Sequence, residues 1–145
     1  DRIKTLEDCD FGQGAAEAEI DEAEKSLGIK LPEEYVDFLR RVGWVSVGGL
    51  ELFGLGKEVP KHLNLVSATM KERHKFRPHI PTFLIPLMAD GFGNHYCLFI
   101  EGPDTGKVSF WDHEHKDAEQ QQPEIVGSGL INWLNEHIND IQNDE

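Results

Sequence analysis

The chain has 145 residues, 39% hydrophobic and 28% charged, which fits one globular domain able to bury a real core. Its formal net charge of −13 gives a surface that repels nucleic acid and anionic membranes and favours basic partners. Bilayer-spanning apolar runs are absent, and two cysteines, Cys9 and Cys97, are too few for a disulfide framework, so a reducing, cytoplasmic setting is expected.

Residues 1–14 mix charge with Gly12 and Gly14 and read as a loosely held arm or short helix. From Glu17 a helix is predicted: Ile20, Ala23, Glu24 and Leu27 follow the helical spacing, acids crowd its start and Gly28 stops it. Pro32 opens a second helix, with Tyr35, Phe38, Leu39 and Val42 as its buried stripe and Arg40 and Arg41 in its last turn before Gly43. Residues 44–47 can be extended, Gly48-Gly49 reads as a turn, and residues 50–55 alternate as a strand. Residues 57–81 form the one basic region, and a helix from Leu63 to Phe76 is predicted there, ended by Pro78 and Pro81. Its basic cluster reads as a solvated helix face.

The central stretch is residues 89–100. Asp90, Gly91, Gly93 and Asn94 form a tight reversal that feeds a strand through His95, Tyr96 and Cys97. A strand over residues 83–88 precedes it, and Pro86 places that strand at an edge or breaks it. Residues 102–106 are a turn, residues 107–111 a strand with Val108 and Phe110 on one face, and residues 119–124 a polar loop. A last helix, capped by Ser128 or Gly129, carries Leu130, Trp133, Leu134, His137, Ile138 and Ile141 on one face. This order favours an α+β fold with a single mainly antiparallel or mixed sheet flanked by helices.

Sites for chemistry are sparse. His113 and His115, beside Asp112, Glu114 and Asp117, have a spacing that lets two imidazoles face one divalent ion, but no second fixed-spacing pair completes a site. A solvated acidic loop is the favoured reading, and neither metal nor cofactor is expected. Cys97 and His95 lie side by side on a strand rather than in order of attack. No catalytic residue is assigned. Trp133 reads as core, whereas Trp44 and Trp111, at element ends, fit a core lid or an interface anchor equally well.

The ordered set Ile20, Glu24, Leu27-Gly28, Leu31-Pro32, Tyr35, Phe38-Leu39, Gly43, Gly48-Gly49 and Leu52-Phe53-Gly54 continues through Asp90-Gly91, Gly93-Asn94 and Tyr96-Cys97-Leu98. It ends at Val108, Phe110-Trp111 and Asp112-His113. With this set the chain resembles the SUKH superfamily, which includes yeast cell-wall synthesis regulators and bacterial immunity proteins. Two positions depart from the pattern: Val42-Gly43-Trp44 stands where Asn-Gly is common, and Phe99 where an acid often follows. The resemblance implies one SUKH-like domain over residues 17–142 after an arm of residues 1–16. It also implies a cytoplasmic, non-catalytic immunity protein that occludes a cognate toxin domain, a basic nuclease being the expected partner. No direct nucleic-acid or membrane contact is expected, and the chain is expected to be a monomer or weak homodimer. The partner-binding set assigned here is Trp44, Phe92, Trp111, Asp112, Glu114, Asp117 and Glu119. The alternatives are a regulatory scaffold of the cell-wall type and a small metal-dependent hydrolase using His113 and His115.

Overall fold

The computed structural model describes residues 9–47, 50–115 and 123–143, with side chains to residue 140. Gly48-Gly49, Asp117 and Glu119 therefore lie outside the described residues. Helix α1 (Glu17–Leu27) begins at Ala16, whose N–H donates to Glu19 Oε1 at 3.0 Å, and ends at Gly28 with φ 67°. That left-handed turn suits glycine because a Cβ would strain it. Helix α2 (Glu33–Arg41) follows Pro32 and buries Tyr35, Phe38 and Leu39. Both helices match their predicted spans, since the signals that bound them are local.

Strands β1 (Asp10–Phe11), β2 (Val45–Val47) and β3 (Leu50–Leu52) form an antiparallel three-stranded sheet in that order. Strands β4 (Leu84–Ala89), β5 (His95–Phe99), β6 (Val108–Trp111) and β7 (Glu124–Gly127) form an antiparallel four-stranded one. The fold is α+β, with the strands divided between two sheets that meet where Phe53 N–H donates to Leu87 O at 2.9 Å. Pro86 lies on the outermost strand of the second sheet, where the β4–β5 register shifts between Pro86 and Met88. This agrees with its missing donor.

Strands β1 and β7 are additions to the predicted elements. The end of the arm pairs with β2, through Asp10 opposite Ser46 and Phe11 opposite Val45, so residues 10–11 are neither loose nor helical. Glu124, expected in a loop, opens β7 instead. The helix predicted over residues 63–76 divides into a 3-10 turn (Lys61–Leu63), helix α3 (Leu65–Met70) and a π-helical turn (Lys71–Lys75). Asn64 caps α3, its Oδ1 accepting from Ser67 N–H at 2.9 Å.

Both faces of the four-stranded sheet are covered. Ile85, Leu87, Leu98 and Val108 join the main core with α1, α2 and helix α4 (Leu130–Asn143). Leu84, Cys97, Phe99 and Trp111 face the other way, into a small second core closed by Ile80. The alternation of Cys97, Leu98 and Phe99 between cores is the two-residue period of a strand buried on both sides. Full burial of each large apolar side chain contributes about 1.5–3 kcal/mol. In the main core the Tyr35 hydroxyl donates to Phe53 O at 2.6 Å, and burial pushes the phenol well above its ordinary pKa.

Candidate functional site

The reversal over Asp90 to Asn94 builds a rigid platform. Asp90 Oδ1 accepts from Phe92 N–H at 2.7 Å and from Asn94 N–H at 3.1 Å, while Oδ2 accepts from Asn94 Nδ2 at 2.9 Å. Burial alone would raise the Asp90 carboxyl, but these hydrogen bonds outweigh it and hold the group below the ordinary carboxylate range. Gly91 and Gly93 take φ of 88° and 94°. A Cβ on Gly93 would lie 2.7 Å from His113 Cε1, so that position needs glycine for space as well as conformation.

The β5–β6 register, His95 opposite Trp111, carries the reversal up against the segment after β6. Asn94 Oδ1 accepts from His113 N–H at 3.1 Å and from His113 Nδ1 at 2.6 Å. That contact leaves the other ring nitrogen facing Glu114, with Nε2 3.8 Å from Oε1. Asp112 Oδ1 in turn accepts from Glu114 N–H at 2.9 Å. Phe92, 82% exposed, stands at the tip of this construction. One end of the sheet thus carries an exposed aromatic ring together with Asp112 and Glu114.

Beneath the platform lies a buried polar node. His95 is buried between Phe53 and Trp111, each ring 6.3 Å away, and its Nδ1 has no hydrogen-bond partner. Glu72, from the π-helical turn, brings Oε1 to 3.8 Å from that nitrogen. Burial pushes the imidazole down to about 4, against the pull of Asp90 and with the help of His113. Burial likewise raises the Glu72 carboxyl, which His113 opposes. Burial therefore disfavours the charged form of each partner relative to water, and with it an ion pair between them.

Of the residues assigned from sequence, Phe92, Asp112 and Glu114 come together here. Trp44 and Trp111 do not, and both are corrected from interface anchors to core residues. Trp111 is 1% exposed in the second core. Trp44, 9% exposed, lies in the main core, with Gly12 packed against its indole and Gly12 N–H donating to Trp44 O at 3.0 Å. Pairing of β1 with β2 is what closes over Trp44, and no local pattern announces such a pairing. Among the described residues, no group of three His, Cys, Asp or Glu side chains has the arrangement to hold a metal ion.

The description of the matching family model is SMI1-KNR4 cell-wall, and it matches residues 17–140, from the first turn of α1 into α4. The chain belongs to this SUKH family. SUKH domains are generally non-catalytic immunity or regulatory proteins, and membership implies a protein partner. The chain is also similar to the SPbeta prophage-derived uncharacterized protein YokK of Bacillus subtilis (strain 168), 28% identical over 134 residues. That alignment takes in 70% of this chain and 65% of the relative, so just under two thirds of the relative's length is matched.

Within this SUKH domain, sequence reasoning missed Glu72 and His95 as a pair, because they lie 23 positions apart and meet only across the second core. The platform itself was foreshadowed by the Asp-Gly-x-Gly-Asn spacing. The acids on α1 and α2 make another carboxylate-rich face, but several have structural duties. Glu17 pairs with Arg40, Glu24 Oε2 accepts from Leu31 N–H at 2.7 Å, and Glu34 Oε1 accepts from Leu130 N–H at 3.0 Å. Among the described residues no helix is long and apolar enough to cross a membrane.

Proposed function

We propose that this chain is an immunity protein that neutralises a basic toxin domain, a nuclease by expectation, by stoichiometric occlusion. The observation that carries the reading is Phe92, held exposed by Asp90 and Asn94 beside Asp112 and Glu114 on an acidic protein. An exposed ring on a preorganised loop loses little entropy on binding and makes a good buried anchor. The carboxylates stand where they can meet cations that would otherwise hold substrate phosphates, and they speed encounter more than they add affinity. Asp117 and Glu119 follow this pair in sequence. In this role the protein acts in the cytoplasm and carries no catalysis of its own.

The test is protection against any toxin domain that the genes beside this one encode, with association measured on the purified pair. Phe92→Ala is expected to cost at least about 2 kcal/mol of binding. The Asp112→Asn, Glu114→Gln double variant should slow association several-fold and flatten its salt dependence. Full protection by both variants would remove the assigned surface, and failure of the parent chain to protect would remove the immunity role. The family's cell-wall description supports a second reading, a regulatory scaffold. Stable host partners without any protection would favour it.

A further inference from the structure

A second surface lies apart from the β4–β6 platform. It is a groove of about 1120 Å³ between α1 and α3, floored by Ala18, Ala23, Leu55, Val59 and Val66. Three of the five side chains that α1 presents to it, Ala18, Ala23 and Ser26, are short, which keeps it open. Its two banks differ in charge. Glu19 and Glu22 line the α1 side, and Lys61 from the 3-10 turn and Lys71 from the π-helical turn line the other, where His62 lies 3.3 Å from Glu51 Oε2. Glu22, Lys61 and Lys71 make no side-chain ion pair among the described residues, so their charges are available to a partner.

We infer that this groove is a docking site for an amphipathic helix of a protein partner, with basic residues along one flank and acidic residues along the other. The walls are largely helical, and their backbone groups are spent within those helices. An extended peptide would find few hydrogen-bonding partners there, whereas a helix satisfies its own backbone. From Ala18 to Ser26, α1 offers roughly 12 Å of groove at about 1.5 Å per residue. Apolar anchors at i, i+3 or i+4, and i+7 of a partner helix span roughly 10 Å, a matching length. Opposed charges on the banks then set the direction in which that helix lies. A like-charged flank against either bank would be repelled, which is how such a groove rejects wrong partners.

The experiment uses the full chain and two fluorescently labelled helical peptides of about 14 residues. Both carry the same apolar stripe. One has Lys on the flank that would face Glu19 and Glu22 and Glu on the other, and the second carries Glu on both flanks, since a helix with its flanks merely exchanged could turn end for end and dock as before. Anisotropy titration is expected to show the first binding at least about tenfold tighter than the second. Ser26→Trp, an exposed position on the groove, should weaken it by a similar factor by filling the space. Glu22→Lys should narrow or reverse the preference between the peptides. Equal binding of the two peptides, no binding of either, or indifference to Ser26→Trp would overturn the inference. So would sedimentation showing that the groove is occupied by a second copy of this chain, as a dimer that Ser26→Trp dissociates.

Discussion

Around α2, Tyr35, Leu39, Leu52 and Leu65 are fully buried among other apolar side chains, and the polar demand of the Tyr35 hydroxyl is met by Phe53 O. At the β4–β5 reversal the structure depends instead on Asp90, Asn94 and His113, joined by directional contacts of 2.6–3.1 Å, above a His95–Glu72 pair whose charged forms burial disfavours. The first region is stabilised by area removed from water, which is tolerant of detail. The second is stabilised by geometry, so it fixes the backbone that carries Phe92 but is sensitive to single atoms and to pH. A domain that binds a partner gains from having both, a forgiving body and a precise edge.

The sharpest way to break this contrast is to ask whether the precise edge has its own apolar foundation. Trp111→Ala removes the largest side chain of the second core and is expected to destabilise by about 3–5 kcal/mol, as much as a truncation in the main core. Urea unfolding measures it. An unchanged midpoint would show that the reversal stands without that core.

The pH dependence tests the node next. His95 is pushed from 6.5 down to about 4 in the folded protein, so the unfolded chain binds the extra proton between those values. The contribution is fully present above about pH 6.5 and lost as pH falls toward about 4, an effect of about 3 kcal/mol. Glu72, raised by burial, acts in the opposite sense, and Asp90, held low, adds its own loss only in stronger acid. Taking the difference between the parent and His95→Gln isolates the imidazole. A difference that is flat from pH 7 to pH 4 would mean that His95 is protonated as easily folded as unfolded.

The smallest expected effect sharpens the comparison most. Asn94→Ala deletes the shared acceptor for His113 and is expected to cost about 1–2 kcal/mol. Amide exchange at His113 should accelerate, while protection within α2 falls by no more than the global loss. Uniform acceleration across both regions would show that they open as one unit rather than separately.

Much of the architecture could be read before any coordinates. Helices α1, α2 and α4, the Asp90 to Asn94 reversal and the strands around it announce themselves through caps, spacing and turn residues a few positions apart. The placement of Phe92 on the reversal, and of Asp112 and Glu114 just after the strand that pairs with it, was legible for the same reason. Tertiary structure alone decided that Trp44 and Trp111 are buried, that residues 10–11 and 124–127 are strands, and that Glu72 meets His95. It also decided that α1 and α3 leave a charged-bank groove between them. These features depend on pairings between segments distant along the chain. A side chain at the end of an element is exposed or covered according to what another segment does, and periodicity within its own segment carries no information about that.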